Sequence, residues 1–309
     1  MREVDYRALP ALSGTGVSTL LESPADWLWK QEHPTQTTPA MMFGTLVHAL
    51  TLNNYTEAED PYAFTPAAVD PSVVLSPFES FRGAEARAWR DEQRAAGFEP
   101  VNQSDYQKLV DKAEATNAAL QAKKDDAHQR AQVLADAVHA HDVAGRILSA
   151  PGSAEVVVSG DYDGAALKGR IDWLPVGGPI VDLKTARNVN LRAMSSALDS
   201  FGYATQLAHY GLLADRLDRP YIIAVRNEQR PAVAVYRLGQ ATWDAALRAT
   251  ERAWDIYAEC VKTGVWPDPH ANRVLDVDAP YWTIERLNGQ DLADETIAAL
   301  ENMIGETNE

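Results

Sequence analysis

An abrupt change of pattern near residue 151 constrains the fold of this chain more than any other feature of its sequence. Residues 84–148 are helical in character almost throughout, and Pro151-Gly152 then ends the helical pattern. Three apolar segments with Gly-containing turns between them follow at once, at 155–159, 167–173 and 179–184. Such segments predict three strands in hairpin-like succession, so the chain passes from helices into a sheet.

The segments after these strands place the sheet in a mixed α/β fold. They predict, in chain order, a helix over 201–217, strands over 221–225 and 232–236, and a helix over 242–262. We therefore expect a single domain over residues 1–309, with a central mixed sheet flanked by helices. Within it we assign 55–150 to a mainly helical insertion before the sheet and 290–309 to an acidic C-terminal tail.

The N-terminal region is expected to be helical. A first helix begins near the capping candidates of residues 13–18 and kinks or restarts at Pro24. A second helix begins after Pro39 and carries an apolar face. Residues 55–81 are rich in Pro, Asp and Thr, which predicts an irregular connection.

The composition excludes several classes of protein. Hydrophobic residues make up 46% of the chain and charged residues 23%, which excludes disorder, collagen and coiled-coil rods. The lone Cys260 excludes a disulfide framework, a four-thiolate zinc site and an iron–sulfur cluster held by the chain's own cysteines. The longest apolar run, Met41–Leu52, is interrupted by His48 and is too short for a membrane helix. Because the start of the chain also lacks a signal-peptide pattern, we expect a cytoplasmic protein with no membrane partner.

The charge balance bears on the choice of partner. The chain has 28 Lys and Arg residues against 44 Asp and Glu residues, and its formal net charge is -16. A surface of this sign repels phosphate groups and argues against a nucleic-acid partner. Binding depends, however, on where the charges lie, since divalent metal ions and a local basic lining can offset the carboxylates in one channel.

The strongest chemical signal is a pair of aspartates with a lysine on neighbouring predicted strands. Hairpin pairing of these strands would bring Asp172 and Asp182 within bridging distance of one cation, and Lys184 projects on the same side as Asp182. Mg²⁺ is often bound by one or two carboxylates, with water and substrate phosphate as its other ligands. Lys184 would orient the attacking water or stabilise negative charge on the phosphorus oxygens. An Asp-x-Lys pattern alone is common as a surface ion pair, and Asp172 on the facing strand is what makes it specific.

The second predicted strand divides its side chains between two faces. Because side chains alternate along a strand, Lys168, Arg170 and Asp172 share one face, while Ile171 and Trp173 take the other. Lys168 and Arg170 are therefore candidates for gripping a phosphate backbone near the acidic pair. Ordinary charges at the edge of a sheet would give the same pattern.

Three further residues are candidates for the same site. Glu155 begins the first predicted strand, where it is either a third carboxylate of the cleft or a surface glutamate. Gln206 and Tyr210 are four residues apart on the following helix and share a face. That pair, taken alone, is typical of a helix surface.

The motifs of the chain, in their order, resemble those of the RecB-type nucleases of the PD-(D/E)XK superfamily. These motifs are Gly44-x-x-x-His48, the Asp172…Asp182-x-Lys184 core and Gln206-x-x-x-Tyr210. Within this group the chain is similar to the exonuclease domain of RecE (exonuclease VIII) and to related phage recombination exonucleases. The resemblance runs from Ser13 to Trp282 and implies a PD-(D/E)XK nuclease core.

The resemblance assigns a role to each candidate residue. It implies that His48, Asp172 and Asp182 bind a metal ion, with Glu155 as an accessory acid. It implies that Lys184 is the catalytic lysine, and that Gln206 and Tyr210 shape the site and contact DNA. Without it, a lone histidine such as His48 on an apolar helix is more typical of a core residue.

The resemblance also implies an activity and its partners. It implies a Mg²⁺-dependent exonuclease, with Mn²⁺ as a substitute, that degrades linear double-stranded DNA from its ends in the 5′→3′ direction. The 3′ single strands that remain would serve a RecT-like annealing protein, and the enzyme would form a ring-shaped homo-oligomer in the cytoplasm of the host cell. No Gly-x-x-x-x-Gly-Lys-Ser/Thr motif occurs, so we expect no use of ATP.

Two other functions remain open from the sequence. The chain can be a catalytically silent module of the same fold that binds nucleic acid or a recombination partner. It can also be a site-specific endonuclease. All the charged positions of the predicted site are present, which is unexpected for a silent module.

Overall fold

A mixed sheet of six strands organises the part of the chain that ends at Pro267. The strands are β1 (Leu12–Ser13), β2 (Val73–Leu75), β3 (Glu99–Val101), β4 (Gly152–Tyr162), β5 (Ala165–Pro175), β6 (Val181–Ala186), β7 (Tyr221–Arg226) and β8 (Val233–Arg237). β2 and β3 form a separate parallel pair, and the other six form the central sheet in the order β1-β5-β6-β7-β8, with β4 also paired to β5. The β4–β5, β5–β6 and β7–β8 pairs are antiparallel, whereas β1–β5 and β6–β7 are parallel.

The coordinates are a computed structural model that describes residue 6 and residues 8–228, 230–271, 274, 276–279 and 281–288. They divide the chain into two units, Met1–Pro267 and Asp268–Glu309. The predicted acidic tail, 290–309, lies outside the described residues, and the single domain expected over the whole chain stays a prediction.

Helices surround the sheet in the first unit. They are α1 (Gly14–Glu22), α2 (Pro24–Glu32), α3 (Pro39–Thr51), α4 (Ala84–Ala95), α5 (Gln103–Ala140), α6 (Asp142–Ser149), α7 (Leu191–Ser200), α8 (Tyr203–Ala214) and α9 (Gln240–Thr263), with a short 3₁₀ helix at Glu57–Glu59. In the second unit the structure describes α10 (Tyr281–Leu287). The predicted restart at Pro24 is confirmed, because Ser23 ends α1 and its hydroxyl caps α2 at the Asp26 N–H.

Two apolar clusters cover the two faces of the central sheet. One joins α3, α5 and α6 to β6 and β7, and the other joins α7, α8 and α9 to β5 and β7. Strand β7 shows the alternation most clearly, since Ile223 and Val225 belong to the first cluster and Ile222 and Ala224 to the second. The predicted mixed sheet flanked by helices is therefore confirmed.

Several short elements differ from the sequence-based expectation. The strand β1 was not predicted, and β2 and β3 lie in segments expected to be irregular or helical. These strands have only two or three residues, too few to show a period-2 pattern. The helix predicted over 201–217 corresponds to α8, and α7 lies just before it in a segment for which no element was predicted. Gly202 separates the two helices with a left-handed backbone (φ 63°).

The β4–β5 ladder is distorted where the predicted site lies. Ala154 pairs with Trp173 and Val156 with Ile171, so Glu155 stands across from Asp172. Glu155 has a φ of 52°, a left-handed conformation that costs a non-glycine residue on the order of 1 kcal/mol. Ile171 belongs to the cluster that contains α7, α8 and α9, whereas Trp173 packs against the cluster that contains α3, α5 and α6. The expectation that these two residues share a face is therefore wrong. Glu155, with its left-handed backbone, stands across from the residue that lies between these two.

Candidate active site

Asp172 on β5 is the centre of the polar group that the structure assembles. Its Oδ2 accepts a 2.7 Å hydrogen bond from the backbone N–H of Leu183 on β6, which fixes the carboxylate between the two strands. His48 Nδ1, on α3, lies 3.5 Å from the same oxygen. Helix α3 comes this close to β6 beside Gly44, where a Cβ would lie 3.2 Å from Thr185 Oγ1. The Gly44-x-x-x-His48 motif thus places an imidazole against a sheet carboxylate.

Glu155 supplies a second carboxylate from the opposite strand. It stands on β4 between the residues that pair with the two neighbours of Asp172, and its carboxylate lies near that of Asp172. One ligand atom from each of His48, Glu155 and Asp172 lies within 4.8 Å of the others. We call these three residues the acidic–histidine group. The two carboxylates suit a hard divalent cation such as Mg²⁺ or Mn²⁺, whereas the neutral imidazole is a ligand more typical of transition metals.

Asp182 and Lys184 form an ion pair beside this group. The Lys184 Nζ lies 2.9 Å from Oδ1 and 2.8 Å from Oδ2 of Asp182, as expected for residues i and i+2 on one face of a strand. Asp182 stands outside the set of three just named, although the sequence predicts that Asp172 and Asp182 bracket one cation. Both carboxylate oxygens of Asp182 lie beside the Lys184 ammonium.

The buried carboxylate oxygens of Glu155 and Asp182 bear on whether the site fits a metal ion. Among the described residues, no donor makes a well-oriented hydrogen bond to Glu155 Oε2 or to Asp182 Oδ2. Each oxygen also lies 2.7–2.8 Å from a cationic nitrogen, of Arg170 and of Lys184 respectively. Buried carboxylates with unused lone pairs fit a site that binds a cation.

Burial sets the protonation states of the group. Burial and then the negative charges of Asp172 and Asp182 raise the pKa of Glu155 to about 8. Burial raises the pKa of Asp182 to about 6, even though Lys184 opposes the shift, and it also raises the pKa of Asp172. Burial and the neighbouring Lys184 lower the pKa of His48 to about 4, so its imidazole is neutral at pH 7 and its contact with Asp172 is not an ion pair.

Gln206 and Tyr210 on α8 hold Lys184 from the other side. The Lys184 ammonium donates to Gln206 Oε1 at 3.4 Å, and Gln206 Nε2 donates to the Tyr210 hydroxyl at 3.0 Å. Tyr210 is only 6% exposed, and its ring fills the space beside Gly169, where a Cβ would lie 2.8 Å from it. The ring is enclosed by the fold, and the expected contact of Tyr210 with DNA stays a prediction. Its hydroxyl orients Gln206.

Lys168 and Arg170 differ from each other in position. Lys168 is 6% exposed and donates to the backbone carbonyls of Tyr6 and Leu9, at 3.0 and 2.6 Å. This buried position contradicts its expected role in gripping a phosphate backbone, because its ammonium holds the N-terminal segment. Arg170 remains at the site, where its Nε lies 2.7 Å from Glu155 Oε2 and its guanidinium lies 5.6 Å from the centre of the Tyr6 ring.

Two contributors to the site were given no role from the sequence, although Tyr203 is part of the motif Tyr203-x-x-Gln206-x-x-x-Tyr210 that carries the family resemblance. The Lys184 ammonium lies 4.7 Å from the centre of the Tyr203 ring, a cation–π contact. The signal for Tyr203 was present, since it precedes Gln206 by three residues on the same helical face. The backbone N–H of Leu183, which holds Asp172, carried no signal of its own, because any residue type supplies a backbone N–H.

Comparisons with known proteins identify the family and support the fold. Residues 13–273 match the family described as "PDDEXK-like domain of unknown function (DUF3799)", and the chain belongs to that family. The fold resembles the crystal structure of a "Putative exonuclease" from Eubacterium rectale, with a TM-score of 0.51 and 12% identity over 92% of this chain and 97% of that one. The structure of SSO0001, 13% identical over 68% of this chain and 83% of that one, has a TM-score of only 0.24 and supports no conclusion. No curated protein matches the chain significantly.

The family and the fold define this chain as a PD-(D/E)XK-like protein, and its described residues include a group that could hold a metal ion. In the described part of the chain, none of the helices combines the length and the apolar character that crossing a bilayer requires.

Proposed function

We propose that this protein is a divalent-metal-dependent nuclease that hydrolyses linear double-stranded DNA from its ends. One observation carries the proposal: on a PD-(D/E)XK-like sheet, the carboxylates of the acidic–histidine group lie on β4 and β5, the Lys184–Asp182 pair lies on the adjacent β6, and His48 approaches from α3. The name of the structural neighbour from Eubacterium rectale supports an exonuclease. The finer features follow the resemblance to RecE-type enzymes: 5′→3′ polarity, independence of ATP, and delivery of 3′ single strands to a RecT-like annealing protein.

The residues of the chain divide the work between holding a cation and stabilising charge. His48, Glu155 and Asp172 would hold the ion, with Asp182 beside them. When bound, Mg²⁺ or Mn²⁺ supplies a Lewis acid that activates water and neutralises charge on the scissile phosphate. The neutral His48 offers a lone pair without adding positive charge to the site.

Lys184 acts as a fixed cation in this scheme. Burial tends to lower the pKa of Lys184, but Asp182 and Asp172 hold it above its ordinary value. The ammonium group therefore keeps its protons at neutral pH, so it donates hydrogen bonds to the phosphate oxygens and does not act as a general base. Gln206, oriented by Tyr210, holds the lysine in place before substrate arrives.

The net charge of -16 is compatible with DNA binding only if the DNA-binding surface is less acidic than the rest of the protein surface. We propose that the enzyme works as a ring-shaped homo-oligomer, in which the acidic surface faces outward and the sites line a channel around the DNA. We further propose that it acts in the cytoplasm, where DNA ends and free Mg²⁺ are both present. Both statements rest on the family resemblance.

The test uses one DNA sequence in two forms, a linear duplex and a covalently closed circle. Purified protein is incubated with each form in MgCl₂, without ATP, and the products are resolved on a gel. The proposal predicts that the linear form is consumed and that the closed circle stays intact. Two preparations of the linear duplex are compared, one labelled at its 5′ ends and one at its 3′ ends. Earlier release of the 5′ label is the result expected for the proposed polarity.

Each other result identifies a different function. Cutting of both forms would replace the proposal with an endonuclease. Binding of DNA without cutting of either form, in Mg²⁺ and in Mn²⁺, would identify a catalytically silent module.

A further inference from the structure

An aromatic pair leads from the candidate active site to the surface. The rings of Phe201 and Tyr203 are stacked, with centroids 5.5 Å apart and planes at 29°. Tyr203 is the residue whose ring receives the ammonium of Lys184 at 4.7 Å. Phe201 is 66% exposed, although its ring is large and apolar. The side chains of Lys184, Tyr203 and Phe201, each in contact with the next, thus connect a buried cation to an exposed aromatic ring.

The backbone between the two rings is held in place by its neighbours. Gly202 has a φ of 63°, and a Cβ at this position would lie 2.6 Å from the Ser18 hydroxyl oxygen on α1. The carbonyl of Gly202 accepts hydrogen bonds from the Gln206 N–H at 2.9 Å and from the Thr205 hydroxyl at 3.0 Å. The stack is therefore attached to the start of α8, the helix that also carries Gln206 toward Lys184.

Stacking is a form of DNA binding that suits an acidic chain. Contacts to phosphate are opposed by a net charge of -16, whereas a base stacks on an aromatic ring without needing a positive charge. A nucleotide whose phosphate meets Lys184 carries its base toward the aromatic rings beside that lysine. A nucleobase therefore fits the exposed face of Phe201 better than an apolar side chain of a partner protein does, because the site next to it is built for a phosphate.

We propose that Phe201, supported by Tyr203, is a nucleobase-stacking subsite that holds one base of the DNA strand entering the active site. The subsite rests on the proposed function, since it requires DNA as the substrate. It adds Phe201, which lies outside the motif positions, and a contact with a base of the DNA rather than with its sugar–phosphate backbone. Because every base has an aromatic face, the subsite binds DNA without sequence preference.

The test is a double-mutant cycle between protein and DNA. Affinity is measured by fluorescence anisotropy with a fluorescein-labelled duplex that has a short single-stranded end, in EDTA and again in CaCl₂. A matched series of duplexes carries one abasic site at each successive position near the end, which removes a base and keeps its phosphate. Phe201→Ala is expected to weaken binding of the intact duplex by roughly 5- to 100-fold, the range for loss of one base–aromatic stack. On the duplex that lacks the stacked base, the same substitution is expected to change the affinity less than about 2-fold.

Three variants complete the design. Phe201→Trp is expected to keep or increase the affinity, and Phe201→Leu, which is apolar but not aromatic, is expected to lose most of it. Trp29→Ala is the control, since Trp29 is also an exposed aromatic residue, 58% exposed and stacked on His33. That variant is expected to bind like the wild type. Thermal unfolding of each variant checks that the fold is intact.

The outcomes separate this inference from the function on which it rests. Equal losses for Phe201→Ala on intact and abasic duplexes, or no loss on any duplex, overturn the stacking subsite while digestion of DNA by the wild type still supports the nuclease. If the wild type neither binds nor digests DNA, the proposed function and the subsite fall together.

Discussion

The ammonium nitrogen of Lys184 lies 2.8 Å from Oδ2 of Asp182, at a position where both side chains are largely removed from water. An ion pair in such a place gives little net stability, because each group loses its hydration. It does supply a cation whose position is set before any substrate binds. Preorganised charge of this kind is effective in stabilising a transition state, since no solvent has to reorganise.

Lys184→Met removes this charge and keeps most of the volume of the side chain. We expect the rate of digestion of linear duplex to fall by about 10²- to 10³-fold, the usual loss when one preorganised charge donor is removed. Lys262→Met, which changes an exposed lysine in the last turn of α9, is the control and is expected to retain full activity. A Lys184→Met enzyme with activity within about 3-fold of the wild type would remove Lys184 from the mechanism.

Glu155→Gln tests the buried acid by its effect on stability at different pH values. The pKa of Glu155 is raised to about 8, so the native state holds a proton that the unfolded chain releases near its ordinary pKa of 4.5. The stability that this proton provides is present below pH 4.5 and is lost as the pH rises to 8 and above, by an amount on the order of 5 kcal/mol. Relative to the wild type, the variant is therefore expected to become more stable between pH 5 and 8.5 in EDTA.

Urea unfolding in EDTA at several pH values measures this difference, and Glu251→Gln, an exposed change on α9, is the control. MgCl₂ is expected to stabilise the wild type at pH 8, because the ion binds the native carboxylate, and to stabilise Glu155→Gln less. If the two proteins show parallel stability curves from pH 5 to 8.5, Glu155 is not a buried acid of the site.

Tyr210→Phe removes only the hydroxyl that accepts from Gln206. We expect kcat to fall by roughly 10-fold with little change in KM for DNA, because a misplaced Gln206 leaves Lys184 less well positioned. The loss of one hydrogen bond is expected to cost about 1 kcal/mol in the free energy of unfolding. A change in KM with unchanged kcat would instead indicate that Tyr210 contacts DNA, as the sequence analysis expected.

His209 is a buried histidine outside the site, and it predicts a loss of stability in acid. Its Nε2–H donates to the carbonyl of Lys168 at 2.9 Å, and its Nδ1 accepts from the Trp254 indole at 3.0 Å. Burial lowers its pKa from 6.5 to about 4, so the native ring stays neutral while the unfolded ring takes up a proton. Its contribution is present above pH 6.5 and is lost as the pH falls toward 4, by about 3 kcal/mol.

His209→Gln keeps a donor and an acceptor but cannot be protonated in this range. The difference in unfolding free energy between wild type and variant is therefore expected to shrink as the pH is lowered from 7 to 4.5, as measured by urea unfolding. A constant difference over this range would show that His209 does not titrate on unfolding.

Much of the fold could be read from periodic patterns in the sequence. The strands β4 to β8 and the helix α9 have enough residues to show alternation or an apolar face, and the sequence predicted each of them. The strand β1 could not be predicted, because its two residues are defined only by pairing with β5, more than 150 positions away. The distortion at Glu155 was also hidden, since glutamate has no preference for a left-handed backbone.

The site could be predicted at those positions where the spacing of residues determines the face on which their side chains lie. Asp182 and Lys184 lie on one face because a strand has a period of two, and Gln206 and Tyr210 lie on one face because they are one helical turn apart. Exposure was not predictable, because it depends on what covers a side chain from elsewhere in the chain. Lys168 and Tyr210 were therefore expected to face DNA, and the N-terminal segment and the glycines around the Tyr210 ring enclose them.

The most direct test of the account is the Mg²⁺ dependence of digestion of an end-labelled linear duplex by the wild type and by Asp172→Asn. The account predicts no digestion in EDTA, recovery of wild-type activity when MgCl₂ is added in excess, and a rate for Asp172→Asn at least about 10²-fold lower at every Mg²⁺ concentration. Equal digestion in EDTA and in MgCl₂, or an Asp172→Asn enzyme as active as the wild type, would contradict it.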